Sequence, residues 1–168
     1  MRLVDYYFIF KMKLQGEIHK MLRSWLGRRL KGKTGEKLVI GPGEGTLSGL
    51  NLKEVLDAHE AWKDKLDKEL SGTSNEHIDP EVIASDCHCV LGKWLHGKGK
   101  KDYSKLPEYK PALNAHAEFH KAAAEVVIQH QANNTQKAQL LLKTSFRTAS
   151  NDNQLELVRL FTAAKERM

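Results

Sequence analysis

Asn114-Ala-His-Ala-Glu-Phe-His120 lies in the middle of a long segment with the periodicity of a helix. His116 and His120 are four positions apart, so in a helix with 3.6 residues per turn they lie one above the other on the same face. Two imidazoles placed in this way can bind one metal ion and supply half of a tetrahedral site. The pair alone leaves a second interpretation open, namely two half-buried polar rings without a metal.

A second inward-facing histidine position is predicted in the first helix of the chain. This helix follows Asn51, which together with Glu54 three positions later is typical of a capping box. Apolar residues recur at three- and four-residue steps over about 20 residues, which indicates an amphipathic helix. His59 lies within the apolar stripe. Taken alone, a histidine in such a stripe is usually a hydrogen-bonded core residue.

The remaining helices are predicted on either side of the histidine pair. Asp79-Pro80 opens a second helix that contains Cys89 and reaches Leu95, with Asp86 as an alternative cap. Gly92 within it predicts the close approach of another helix, because glycine in a helix costs about 1 kcal/mol relative to alanine. Residues 97–101 are predicted as a loop. The third and fourth helices are placed at 107–131 and 135–165.

Four helices with short connections and no strand pattern predict an all-α fold, an antiparallel four-helix bundle over residues 50–168. Residues 1–49 are predicted to form a flexible, basic, glycine-rich arm and linker, with Met12 and Met21 as alternative starts. Residues 1–45 hold ten Lys/Arg against four Asp/Glu, whereas the remainder holds 17 of each sign. The positive charge therefore belongs to the arm and not to the bundle.

The charge distribution and the cysteines limit the partners and the location of the chain. The bundle offers no aromatic and basic platform for single-stranded nucleic acid, so no nucleic-acid partner is expected. Residues 21–31 carry only a weak basic amphipathic pattern, and we expect no membrane contact from it. No apolar run approaches the roughly 18–20 residues of a membrane span. Cys87 and Cys89 are too close in sequence to link distant elements, which favours a reducing, cytoplasmic location.

Three histidines and one cysteine are predicted on the inward faces of three helices: His59, Cys89, His116 and His120. Four nitrogen and sulfur donors suit a closed tetrahedral Zn²⁺ site, with Zn–N of about 2.0–2.1 Å and Zn–S of about 2.3 Å. One ion would also satisfy four polar groups whose burial is otherwise costly. Cys87 is the alternative sulfur ligand, and the Cys-x-x-Gly-x-Trp context favours Cys89.

The same residues carry a family resemblance. The motifs His59-x-x-Trp62, Cys89-x-x-Gly92-x-Trp94 and His116-x-x-x-His120 together resemble the chemoreceptor zinc-binding (CZB) domain, and the resemblance covers residues 50–165. It implies a four-helix bundle with one zinc held by three histidines and one cysteine. It further implies a bacterial, cytoplasmic regulatory module of chemotaxis or cyclic-di-GMP signalling. Domains of this kind sense zinc or, through the zinc-bound cysteine, oxidants such as hypochlorous acid.

Other functions fit the pattern less well. A hemerythrin-like di-iron bundle needs bridging carboxylates, and none lies in the predicted stripes. A zinc hydrolase needs an open coordination position, which four protein donors close. Glu118 does not directly follow His116, so the His-Glu-x-x-His motif of metalloproteases is absent from this helix. We therefore expect a protein without catalytic residues, and a signalling protein or a second copy of the chain as its partner. A structural zinc bundle that serves as a docking module is the alternative.

Overall fold

The computed structural model of the chain describes residues 45–74 and 76–167, together with Lys20 and Ser24. Most of the predicted basic arm, including both alternative start methionines, lies outside the described residues. The boundary between an arm at 1–49 and a domain at 50–168 stays a prediction.

Within the described ranges the chain forms five helices and one short β-hairpin. The strands are β1 (Thr46–Leu47) and β2 (Leu50–Asn51), and they are followed by α1 (Leu52–Leu70) and α2 (Pro80–Ala84). Helix α3 consists of Val90–Trp94, a π-helical turn at Leu95–Gly99 and Lys100–Tyr103. Helix α4 spans Tyr109–Gln131, and α5 consists of Thr135–Leu141, a π-helical turn at Leu142–Phe146 and Arg147–Glu166. The predicted all-α fold is confirmed.

Helix α4 is the central element of the bundle, because it packs against α1, α2 and α5. The rings of Phe119 on α4 and Phe146 on α5 lie 5.4 Å apart between centroids. Only three residues connect these two helices, so they run antiparallel. Helix α1 begins as the sequence predicts: the Asn51 side chain accepts hydrogen bonds from the Lys53 and Glu54 amides and donates one to the Glu54 carboxylate.

The apolar core consists of two clusters. One contains Leu52, Leu56 and Ala112, and the other contains Leu66 and Ala123. The change from the first to the second along α1 and α4 takes place around three buried histidines. The buried polar side chains of the described residues are His59, His116, His120, Asn153 and Gln154. The histidines therefore lie deep in the bundle, between two apolar regions.

The hairpin was not predicted, because no strand pattern was found in the sequence. Ser48 (φ 45°) and Gly49 (φ 83°) form its two-residue turn, and Leu47 and Leu50 are 1% and 3% exposed in the first core cluster. The Ser48 hydroxyl lies 2.6 Å from Tyr103 Oη and donates to Asp102 Oδ2 at 2.7 Å. Residues 45–49, predicted as linker, are thus packed against α3.

Two local predictions for α3 were wrong. Residues 97–101, predicted as a loop, are helical, because a π-helical turn carries the backbone hydrogen bonding through Gly97 and Gly99. Gly92 was predicted to face another helix. A Cβ at Gly92 would instead lie 1.7 Å from the carbonyl oxygen of Asp86, so the close neighbour is the loop that precedes the same helix.

None of the described helices is long and apolar enough to cross a membrane.

Candidate metal centre

The four residues predicted as metal ligands converge at one point of the bundle. One nitrogen of each of His59, His116 and His120 and the sulfur of Cys89 all lie within 4.8 Å of one another. The histidines are buried and Cys89 is half-buried. They come from α1, from α4 and from the residue that precedes α3, so the group joins three segments of the chain that are distant in sequence.

His59 is oriented by its own helix. Its Nδ1 lies 2.7 Å from the carbonyl oxygen of Val55, one turn earlier in α1. A carbonyl oxygen can only accept, so this contact places the ring proton on Nδ1 and leaves Nε2 with a free lone pair. A hydrogen bond on the far nitrogen of this kind is how metal-binding histidines are commonly fixed in tautomer and orientation.

His120 has the same arrangement with a different partner. Its Nδ1 lies 2.6 Å from the carbonyl oxygen of Ile83, the buried residue of the short helix α2. Its Nε2 is buried and has no hydrogen-bond partner among the described residues. A buried nitrogen lone pair without a donor is costly, and a metal ion would satisfy it.

His116 lies closest to the cysteine. Its Nε2 is 3.3 Å from Cys89 Sγ and 3.2 Å from the carbonyl oxygen of Asp86, whereas its Nδ1 is buried without a hydrogen-bond partner in the described part of the chain. Its ring meets those of His59 and His120 edge-on, with centroids 5.3 Å and 4.7 Å apart. His116 therefore lies at the middle of the group.

The sequence predicted Cys89 within a helix. In the structure Cys89 is instead the N-cap of α3. Its backbone is extended (φ −76°, ψ 167°), and its Sγ accepts a hydrogen bond from the Gly92 amide at 3.2 Å. The missing Cβ of Gly92 lets the Asp86 carbonyl close onto the first turn. This contact holds Cys89 at the end of the helix, where its sulfur is directed at the histidines.

Cys87, the alternative sulfur ligand, is exposed, and its Sγ lies 3.2 Å from the Ser85 hydroxyl. It does not belong to the group of four. The two further histidines of this region, His88 and His96, are exposed, and His96 pairs with the Asp86 carboxylate at 2.9 Å.

Burial keeps the donor groups neutral in the metal-free protein. It lowers the pKa of His59 to about 4 and, together with the charges of the neighbouring histidines, the pKa of His116 to about 3. Burial also lowers the pKa of His120 and raises that of the Cys89 thiol. At neutral pH the imidazoles therefore present free lone pairs, while the thiol must lose its proton to become a ligand.

A cleft of about 410 Å³ leads to the group from the surface. His59, Cys89 and His120 are among the residues that line it, together with Trp62 and His88. Small solutes can therefore approach Cys89 through the cleft.

The donor set fits zinc. Three imidazole nitrogens and one thiolate satisfy the four-coordinate preference of Zn²⁺, and one thiolate leaves the site with a net charge of only +1. The buried, unpartnered ring nitrogens of His116 and His120 are the polar atoms that a bound cation would satisfy. No carboxylate belongs to the group, which separates it from di-iron sites built on bridging glutamates.

Three supporting main-chain acceptors were not predicted from the sequence, and the first is the Val55 carbonyl oxygen beside His59. The carbonyl oxygen of Ile83 orients His120, and Asp86, predicted only as a possible cap, contacts His116 through its carbonyl oxygen. Main-chain acceptors carry no residue-type signal, so no motif could have indicated Ile83. The contact of Asp86 with His116 is also made by a main-chain carbonyl oxygen, so the residue type gave no indication of it.

The comparison with curated proteins and the comparison with solved structures return no match to this chain. Residues 59–127 contain all four converging residues and match the model of the CZB family, the chemoreceptor zinc-binding domain. This match confirms the resemblance carried by the sequence motifs and identifies zinc as the metal of this family.

Proposed function

We propose that this chain is a zinc-dependent regulatory domain in which His59, Cys89, His116 and His120 hold one Zn²⁺. Its state changes with zinc availability or with oxidation of the Cys89 thiolate. The observation that carries the proposal is the convergence of three buried imidazoles and one sulfur within 4.8 Å, in a segment that matches a zinc-binding family. We place its action in the bacterial cytoplasm, in signalling of the chemotaxis or cyclic-di-GMP type, with a signalling protein or a second copy as partner.

Regulation is favoured over catalysis by the number of protein donors. Four ligands complete a tetrahedral zinc and leave no position for a substrate or an activated water. No carboxylate that could serve as a general base belongs to the group of four. We therefore assign the domain no catalytic residues.

Access to Cys89 favours a responsive site over a purely structural one. A structural zinc is usually enclosed, whereas here a cleft reaches the cysteine and two of the histidines. An oxidant or a chelator can enter by the same route. The structural docking module is the second candidate, and in that case zinc would not leave under physiological conditions.

The oxidative step is a two-electron reaction at Cys89. The thiolate sulfur takes up oxygen and becomes a sulfenic acid, while hypochlorous acid is reduced to chloride. The product no longer offers an anionic sulfur ligand. Since Sγ also accepts the Gly92 amide proton, the same reaction weakens the cap of α3. Loss of the ligand would loosen the contacts that join α1, α3 and α4.

Zinc stoichiometry under native mass spectrometry tests the proposal. We expect one zinc per wild-type chain, loss of zinc after one equivalent of hypochlorous acid, and markedly weaker binding by Cys89→Ser. Cys87→Ser is the matched control, since Cys87 is exposed and lies outside the group, and it should keep its zinc. A wild-type chain without zinc, or a Cys89→Ser chain that holds zinc as tightly as wild type, would refute the proposal.

A chelator titration separates the two candidates. A sensor should release zinc over the physiological range of free metal, with a Kd that can be read from competition. A docking module should keep its zinc until the chain unfolds. An oxo-bridged iron absorption spectrum in the purified protein would exclude both.

A further inference from the structure

We infer that Asn153 is a positioning residue of the metal centre, and that its side-chain Oδ1 accepts a hydrogen bond from Nδ1–H of His116 when His116 binds zinc through Nε2. This inference rests on the proposed function, because it concerns the same four-ligand site.

The first observation is that two polar atoms are buried without hydrogen-bond partners. His116 is 0% exposed and its Nδ1 has no partner in the described residues, while Asn153 is 1% exposed and its Oδ1 has none either. A ring nitrogen that carries a proton needs an acceptor, and an amide oxygen can only accept. Leaving either of these buried polar atoms unpaired is costly. His116 Nδ1–H can therefore donate the hydrogen bond that Asn153 Oδ1 can accept.

The second observation is the orientation of the other two imidazoles. His59 and His120 both have Nδ1 within hydrogen-bond distance of a main-chain carbonyl oxygen, which leaves Nε2 for the metal. Nε2 of His116 lies 3.3 Å from Cys89 Sγ. Two donors that share one tetrahedral zinc, at the bond lengths of Zn–N and Zn–S, are about 3.5 Å apart. By this criterion Nε2 of His116 is the metal-facing atom, and Nδ1 is the atom that lacks its acceptor.

The register of α5 against α4 places Asn153 near the level of His116. Helices α4 and α5 run antiparallel, with Phe119 opposite Phe146, and Ala115 and Ala149 line the same groove between them. Asn153 therefore lies slightly more than one helical turn from the level of His116. Helical side chains lean toward the N-terminus of their own helix. In this antiparallel pair the two side chains lean toward each other along the bundle axis.

The competing arrangement is also defined by the structure. Asp86 offers its carbonyl oxygen 3.2 Å from His116 Nε2, so the ring could carry its proton on Nε2 and bind zinc through Nδ1. In that case Asn153 would have no role at the metal. The two arrangements differ in the tautomer of one histidine, which can be measured directly.

The test is nitrogen-15 NMR of the histidine rings in the zinc-loaded full chain. We expect His116 to carry its proton on Nδ1, with slow solvent exchange of that proton. Asn153→Leu should accelerate this exchange and weaken zinc binding by about 10–100-fold, the usual effect of removing an outer partner of a ligand histidine. Asn153→Asp, which keeps the acceptor, should restore the slow exchange and the affinity.

Gln154→Leu is the matched control. Gln154 is the neighbouring buried polar residue on α5, 4% exposed, and its amide contacts Ser150. This variant should leave the His116 proton and the zinc affinity unchanged. A His116 proton found on Nε2 in the wild type would overturn the inference, as would slow exchange and full affinity in Asn153→Leu. The tautomer measurement needs no substitution, so it can refute the inference even if Asn153→Leu does not fold, and Asn153→Asp then tests the acceptor. Absence of zinc from the wild type would refute the proposed function instead.

Discussion

The sulfur of Cys89 accepts a hydrogen bond from the first turn of α3 and lies beside the Nε2 atom of His116. These two contacts can be separated by substitution. Serine is a good helix N-cap, so Cys89→Ser keeps an acceptor for the Gly92 amide while it removes the thiolate. A loss of zinc in this variant would therefore report on the ligand and not on a frayed helix.

The position of Gly92 requires a residue without a Cβ atom, because the Asp86 carbonyl oxygen occupies the space where that atom would lie. We predict that Gly92→Ala lowers the free energy of unfolding by at least about 2 kcal/mol, because the added Cβ would overlap the Asp86 carbonyl oxygen and force the loop away. Urea denaturation monitored by circular dichroism measures this change. Gly97→Ala is the control, since nothing lies within 4 Å of its Cβ position, and it should not destabilise the protein. Equal stability of the two variants would contradict the prediction.

At the scale of secondary-structure elements, the hairpin joins the start of α1 to α3. Leu47 and Leu50 enter the first core cluster, and the Trp94 indole donates to the carbonyl oxygen of Ser48 at 3.3 Å. The hairpin therefore fixes the end of the bundle that lies next to Cys89, the proposed sulfur ligand.

We predict that Leu47→Ala destabilises the protein by about 2–5 kcal/mol, the range observed when a buried leucine is truncated. Leu47 is 1% exposed. Leu140→Ala is the control: this side chain is 61% exposed on α5, and its truncation should change the free energy of unfolding by less than about 0.5 kcal/mol. Chemical denaturation of both variants gives the comparison, and a small effect at Leu47 would show that the hairpin does not contribute to the core.

Sequence periodicity was sufficient for the long helices and for the inward faces of His59, His116 and His120, because apolar residues at three- and four-residue steps indicate which face is buried. It was insufficient where hydrogen bonding departs from the α-helical pattern. The π-helical turn at Leu95–Gly99 contains two glycines, and these glycines led to the prediction of a loop. Strands of two residues are too short to show alternation, although Ser48-Gly49 between two leucines is a hairpin signal in hindsight.

The capping role of Cys89 was also beyond the sequence pattern. The apolar run that follows it continues a helical periodicity, and nothing in the residue types shows where the first turn begins. The start is set by the loop at Asp86, whose carbonyl oxygen fills the space beside Gly92.

On the scale of the whole molecule, zinc should contribute directly to stability, since the four proposed donors come from three segments of the chain. Above the Kd, each tenfold rise in free zinc should raise the free energy of unfolding by about 1.4 kcal/mol. Urea unfolding in zinc buffers measures this slope. Cys89→Ser should show the same slope only at higher free zinc. A free energy of unfolding that does not depend on zinc would contradict binding to the folded state.

The metal-free protein should lose stability in acid. The pKa values of His59 and His116 lie at about 4 and 3 in the folded state, below the 6.5 of an unperturbed histidine, so the unfolded chain binds more protons as the pH falls below 6.5. Each such histidine should remove about 1.4 kcal/mol per pH unit between about pH 6 and pH 4. At the alkaline end, the raised pKa of Cys89 should reduce stability as the pH rises above 9.

Denaturation of the metal-free protein as a function of pH checks both limits. His59→Gln should show a shallower acid dependence, because it removes one of the groups that titrates on unfolding. An unchanged slope in this variant would show that other groups, such as carboxylates, cause the acid loss.

The hairpin also lies close to the end of the last described helix. Leu47 and Ala164 belong to the same apolar cluster, and β1 contacts α5. Within the described residues, β1 and the C-terminal end of α5 are therefore neighbours at one end of the bundle, so a short linker from Glu166 to Gly45 would join residues 45–166 into a ring without crossing a helix. The bundle should accordingly tolerate circular permutation, with new termini opened in the exposed turn at Ser71-Gly72, and could be spliced into a surface loop of a reporter protein as a zinc-controlled insert.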